Sequence, residues 1–140
     1  MRRAHLLPTA VLVTIGGVIH LQLWLGGYRG IPFIGPWFLA NVVASAVIAA
    51  AIVATADRRV TLAGLVLSAA SLTALVLSRT VGLAGFLETT WTDQALAATG
   101  AELGAVVASA LALVVTSRSP ASPVLLLVRP DDRAPRRRAA

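Results

Sequence analysis

The apolar residues of this chain fall into four long runs, separated by short polar, charged or glycine- and proline-rich segments. An α-helix rises 1.5 Å per residue, so about 20 apolar residues cross the ~30 Å hydrocarbon core of a bilayer. The runs have that length, and the pattern predicts spans at about residues 6–25, 37–56, 61–83 and 95–116. We therefore predict an all-α fold, a four-transmembrane-helix bundle in up-down-up-down order formed by residues 1–116.

The segments between the runs set the ends of the helices. Residues 26–36, GGYRGIPFIGP, are predicted to form a loop or a shallow re-entrant segment. A charged DRR separates the second and third spans, and in LETTWTDQ either Thr92 or Asp93 is expected to cap the fourth helix. The opening MRR resembles the start of a signal peptide, but the long apolar run and the lack of a small-residue cleavage site favour an uncleaved span.

Composition supports a membrane location. The 140 residues are 57% hydrophobic and 13% charged, whereas soluble domains are about 25% charged. Four spans use nearly the whole chain, which leaves no room for a separate soluble enzyme domain. Cysteine is absent, so disulfides, thiolate metal sites and cysteine nucleophiles are excluded.

The arginines predict orientation. With four spans, all of them except Arg29 and Arg79 fall on one side of the membrane, which makes both termini cytoplasmic in a multi-pass protein of the cell membrane. Residues 117–140 form a basic, proline-rich segment that we expect to be a mobile cytoplasmic tail. The net charge of +6 is explained by topology, and no nucleic-acid partner is predicted because no binding fold or aromatic interleaving accompanies the basic run.

Each predicted span contributes one strongly polar residue at a similar depth in the outer part of the bilayer. These residues are His20, Asn41, Arg79 and Glu102. A charged side chain deep in a span costs about 2.5–3.5 kcal/mol, so Arg79 and Glu102 are expected to face the bundle interior and to pair with each other, with His20 beside them. A second set of residues lies in the outer connections and is predicted to rim a mouth above this cluster: Tyr28, Arg29, Glu88, Trp91 and Asp93.

The sequence leaves the role of this polar cluster open. It binds a small molecule, a lipid or a metal, or it serves as interhelical glue, worth about 0.6 kcal/mol per contact, in an accessory subunit. Such a subunit would pack through small-residue faces against a larger membrane complex or a second copy of itself. No metal site or cofactor is predicted, because His20 and Glu102 supply two ligands where zinc needs three or four. No catalytic residue is predicted either, since Ser78 lacks a nucleophile-elbow context. An enzyme is therefore the third choice.

Four stretches of the chain together carry a resemblance to a known group of proteins. They are GGVIHLQLW at 16–24, the segment with Gly35, Phe38 and Asn41, LSRTVGLAGF at 77–86, and Glu102. The chain resembles small four-helix integral membrane proteins of actinobacteria, which have a similar HL motif, an LSRTVGLPG-like motif and a late glutamate. The resemblance implies a membrane location and a four-helix bundle but no activity, and Ala84 stands where the related motif has proline.

Overall fold

The structure is a computed structural model and describes residues 4–117. After a 3-10 turn at Ala4–Leu6, its helices are α1 (Leu7–Leu25), α2 (Ile34–Thr55), α3 (Arg58–Thr80) and α4 (Asp93–Ser117). All four helices are long and apolar enough to cross a membrane. The prediction of an all-α bundle with four membrane-spanning helices is therefore confirmed. The predicted tail lies almost wholly in residues 118–140, outside the described residues.

The helices form an antiparallel bundle in which each packs against its neighbours in the chain and α1 closes the ring against α4. Among the neighbouring pairs, α2 and α3 make the least contact. Large apolar side chains cover the outside, and Val47, Val66 and Leu111 are each more than half exposed. The buried positions are mostly alanine, glycine, serine and threonine, the small residues that let helices approach closely in lipid. This distribution is the one expected of a small multi-pass membrane protein.

Local side-chain chemistry sets the start of α3 and of α4. The carboxylate of Asp57 accepts a hydrogen bond from the Arg59 backbone N–H at 2.7 Å and caps α3. The hydroxyl of Thr92 accepts from the Ala95 N–H at 3.2 Å, so Thr92 is the cap of α4 and Asp93 is its first residue. In both caps a short polar side chain accepts a hydrogen bond from a backbone N–H of the first helical turn, as is common at helix N-termini.

Three helix ends lie three residues from the predicted boundaries. Helix α3 begins at Arg58 instead of residue 61, directly after its cap Asp57. Helix α2 begins at Ile34 instead of residue 37, because Pro36 falls in its first turn, where a missing N–H is tolerated. Helix α3 ends at Thr80 instead of residue 83, because Gly82 adopts a positive φ of 86° and its N–H returns to the Leu77 carbonyl at 2.8 Å. The early end of α3 places Arg79 in the last helical turn.

The chain reverses direction just after α3 in a tight turn. Leu83 and Phe86 exchange backbone hydrogen bonds of 2.8 and 2.9 Å across Ala84 and Gly85. Both central residues have positive φ, 51° at Ala84 and 80° at Gly85, as in a type I′ turn. Proline cannot adopt a positive φ. A proline at position 84, as in the related motif, would therefore require a different turn.

Candidate functional site

A chain of polar contacts crosses the bundle interior from α2 to α4. The amide nitrogen of Asn41 donates to the Ser71 hydroxyl oxygen at 2.7 Å, and the amide oxygen of Asn41 accepts from Ser45 at 3.1 Å. Because Ser71 accepts from Asn41, its own O–H is free to donate elsewhere. The Glu102 carboxylate lies near the hydroxyl groups of Ser68 and Ser71. Helices α2, α3 and α4 are thus linked through buried polar groups.

Helix α1 joins this network through His20. Its Nδ1 lies 2.8 Å from the Gly16 carbonyl oxygen and 3.8 Å from Glu102 Oε1. A carbonyl only accepts, so Nδ1 carries the proton, and in the neutral ring Nε2 keeps its lone pair. Gly16 also makes room for the carboxylate, since a Cβ at that position would lie 3.0 Å from Glu102 Oε1.

The predicted ion pair between Arg79 and Glu102 is wrong. Arg79 Nη1 donates to the backbone carbonyls of Thr90 at 2.6 Å and Glu88 at 3.3 Å, and the guanidinium lies 4.3 Å from the ring centroid of Trp91. Among residues 4–117, the acidic group of Glu102 is paired with His20 and with no arginine. The cause is the early end of α3, which lets the long Arg79 side chain reach outward to the loop.

The loop between α3 and α4 is held by Glu88 as well as by Arg79. Glu88 Oε1 accepts from the Thr90 N–H at 2.9 Å, and Oε2 accepts from the Tyr28 hydroxyl at 3.4 Å. Burial raises the pKa of Tyr28 above its usual value, and the negative charge and hydrogen bond of Glu88 raise that pKa further. Tyr28 and Glu88, both predicted for the rim, therefore lie in contact across the mouth.

Aromatic rings connect the polar network to this mouth. Phe38 lies between His20 and Tyr28, with ring centroids at 5.0 and 5.1 Å, and it stacks on Tyr28 at an interplanar angle of 18°. Phe86 meets Tyr28 edge-on at 5.8 Å. Sequence reasoning did not place Phe38 or Phe86 in the site. One available signal was the position of Phe38 on α2, three residues before Asn41 and hence on the same helical face.

These groups surround a cavity of about 410 Å³. The four predicted cluster residues all line it: His20, Asn41, Arg79 and Glu102. Of the predicted rim, Tyr28 and Glu88 line the cavity, whereas Arg29, Trp91 and Asp93 do not. Small residues of α2 and α3, namely Ala40, Ala44, Ala70 and Ala74, form much of the remaining wall. The volume falls within the range of about 300–1,000 Å³ typical of ligand sites.

The chemistry of the site is that of a polar end within an apolar chamber. Carboxylate, imidazole, amide and hydroxyl groups converge at the inner end of the cavity. Aromatic rings line the cavity between this end and Tyr28. Within the described part of the chain, no group of three or more His, Cys, Asp or Glu residues is placed to hold a metal ion.

No protein-family model, no curated protein and no solved structure matches this chain. The class of the protein therefore follows from its fold and its site alone. It is a small four-helix membrane protein with a polar-ended cavity inside the bundle.

Proposed function

We propose that this protein resides in the cell membrane and binds an amphiphilic small molecule or lipid in its bundle cavity. The observation that carries the proposal is the cavity itself, which combines about 410 Å³ of space with a polar cluster at one end. The apolar body of the ligand lies against the alanine wall and the aromatic rings. Its polar end meets His20, Asn41 and Glu102.

The open volume favours binding over a structural role for the cluster. A cluster that served only as interhelical glue would be collapsed and fully paired, since protein interiors hold few voids larger than a water molecule. Here the polar groups face open space, and the buried Nε of Arg79 has no hydrogen-bond partner in the structure. The alternative is an accessory subunit that packs against a larger membrane complex or a second copy of the chain. The mass-spectrometry experiment below distinguishes the two functions.

The route of entry that we propose is lateral, between α2 and α3. These two helices make the least contact of the neighbouring pairs, and alanines line the cavity on both of them. Arg58 and Arg59 begin α3, and Arg79 lies at its other end. By the positive-inside rule the cavity then opens toward the outer leaflet, with both termini cytoplasmic. Labelling of a Thr90→Cys variant by an impermeant maleimide in intact cells tests this orientation, and protection from the label would contradict it.

The binding proposal is tested with two matched variants of α2. Ala44 lines the cavity, whereas Ala46, two residues further on, is exposed on the outer face. Protein extracted directly from membranes into nanodiscs is analysed by native mass spectrometry. We expect a discrete bound species on the wild type and on Ala46→Phe that is lost from Ala44→Phe, in which the new ring fills the cavity. An equal set of bound species on all three proteins would refute the proposal and favour the structural alternative.

A further inference from the structure

We infer that the polar end of the ligand is a cation: a lipophilic ammonium group that places its charge against Glu102 and its apolar body among the rings of Phe38, Tyr28 and Phe86. This inference rests on the proposed binding function and narrows it to one class of ligand. It comes from the balance of charges in the cavity wall and from the position of the aromatic rings.

Three formally charged residues line the cavity, one positive and two negative: Arg79, Glu88 and Glu102. Arg79 and Glu88 lie together at the mouth, where Arg79 Nη1 contacts the backbone carbonyl oxygen of Glu88 at 3.3 Å and the Glu88 carboxylate accepts from the Tyr28 hydroxyl and the Thr90 N–H. Glu102 lies deeper. Its partner Ser71 precedes Arg79 by eight residues of α3, which places the Glu102 carboxylate about 12 Å further down the bundle.

Glu102 therefore has no permanent positive partner among residues 4–117. In the described part of the chain His20, at 3.8 Å, is the basic group that reaches its carboxylate, and the Nδ1 proton of His20 already points at the Gly16 carbonyl at 2.8 Å. Glu102 is only 5% exposed. A carboxylate at such a site is stable when it is protonated or when a positive charge joins it. A cationic ligand supplies that charge.

An anionic ligand finds no comparable partner at the inner end of the cavity. Among the described residues, the guanidinium of Arg79 is the one permanent positive charge in the cavity wall. Its Nη1 is bonded to two backbone carbonyls and its face covers Trp91, and its Nε, which has no hydrogen-bond partner, is open to an acceptor at the mouth and not at the Glu102 end. An anion that reached the inner end would meet Glu102 directly. Like charges in so dry a site repel strongly.

The aromatic rings favour the same sign of charge. Phe38, Tyr28 and Phe86 line the cavity between its mouth and its polar end. Ring faces attract cations within about 6 Å of the ring centroid, and aromatic cages bind quaternary ammonium groups. Phe38 reaches the polar end, where its ring centroid lies 5.0 Å from that of His20, the residue in contact with Glu102. The headgroup ammonium of a lipid and the charged nitrogen of a free lipophilic amine offer the same chemistry to this site.

Two ions of matched shape and opposite charge test the inference. Tetraphenylphosphonium and tetraphenylborate are titrated into purified protein in dodecyl maltoside, with calorimetry or tryptophan fluorescence as the readout. We expect the wild type to bind the phosphonium ion saturably and at least roughly tenfold more tightly than the borate ion, a difference of about 1.4 kcal/mol. Glu102→Gln loses this preference. Asp93→Asn, which removes a carboxylate of the same helix outside the cavity, keeps it.

The outcomes separate this inference from the proposed function. Equal or tighter binding of the borate ion, or an unchanged preference in Glu102→Gln, overturns the cation inference and leaves the binding cavity standing. If neither ion binds and mass spectrometry still finds a bound neutral or anionic molecule, the cation inference again fails. If neither ion binds and no bound molecule is found, both proposals fail.

Two further arms complete the design. Should Glu102→Gln not fold, Phe38→Leu keeps an apolar side chain and removes a ring face, and we expect it to weaken phosphonium binding several-fold without changing borate binding; equal effects on both ions count against the inference. Added phosphatidylcholine identifies the natural source of the charge. A loss of phosphonium affinity indicates a lipid ammonium in the cavity, and an unchanged affinity rules this lipid out as the source of the charge.

Discussion

Replacing Gly16 by alanine should destabilise the bundle, although the same change usually stabilises a helix. A Cβ at position 16 would lie 3.0 Å from Glu102 Oε1 and 3.4 Å from Glu102 Cδ, closer than ordinary van der Waals contact. The carboxylate must then move away from His20, or α1 must move away from α4. Overpacking of a close-packed interior costs about 1–3 kcal/mol.

The matched control is Gly100→Ala on α4. Gly100 is exposed, and a Cβ there would meet no atom within 4 Å. Alanine is the better helix former by about 0.8–1.0 kcal/mol, so Gly100→Ala should be neutral or stabilising. Both variants share that gain, so Gly16→Ala should be less stable than the control by the whole overpacking cost, about 1–3 kcal/mol, and less stable than wild type by about 0–2 kcal/mol.

The assay is the thermal unfolding of wild type, Gly16→Ala and Gly100→Ala in one detergent at one pH. We expect the order Gly100→Ala, wild type, Gly16→Ala from most to least stable. If Gly16→Ala melts with or above Gly100→Ala, the close contact between Gly16 and the Glu102 carboxylate does not exist, and the position argued for Glu102 is wrong.

Three further predictions concern the outer end of the bundle. Tyr28 is the single tyrosine of the chain, and its raised pKa predicts ultraviolet ionisation of the folded protein above the ordinary value of about 10. The contribution of Tyr28 to stability is thus complete below about pH 10 and is lost as pH rises through the pKa of Tyr28 in the folded protein. Glu88→Gln should lower the pKa of Tyr28. An unchanged pKa would rule out the contact between Tyr28 and Glu88. Ala84→Gly should raise stability by about 1 kcal/mol in thermal unfolding because alanine is strained at φ 51°, and a decrease would exclude this turn. In a double-mutant cycle the effects of Arg79→Leu and Glu102→Leu should add within about 0.5 kcal/mol because the two side chains do not pair, whereas a larger coupling would restore the ion pair.

The fold could be predicted from the sequence because each apolar run is long enough to span a bilayer whatever its neighbours are. Depth was predictable only in part. Counting from the helix ends predicted that His20, Asn41, Arg79 and Glu102 lie near one level, and all four line the cavity. Asn41 however bonds to Ser71, eight residues before Arg79, so Arg79 lies about 12 Å nearer the mouth.

The pairing of the charges could not be predicted in the same way. It depends on where α3 ends, which the positive φ of Gly82 decides, and on how far the Arg79 side chain reaches beyond that end. The aromatic rings were missed for another reason. When a helix is apolar all round, its sequence does not distinguish the face toward the bundle from the face toward lipid. Phe38 and the exposed Leu39 are both apolar, and the three-residue spacing from Phe38 to Asn41 was the one sequence signal that separates them.

The central claim is that a distinct molecule occupies the bundle cavity, and the lack of cysteine in the chain makes a direct measurement possible. A benzophenone maleimide is attached to Ala40→Cys, which lines the cavity but is itself exposed, so that the label can lie beside the chamber without filling it, and in parallel to Ala46→Cys, which is exposed on the outer face. Both proteins are irradiated in native membranes, and the adducts are weighed by mass spectrometry. We predict one dominant adduct mass at position 40 and a mixture of bulk lipids at position 46. The same bulk-lipid mixture at both positions would contradict the claim.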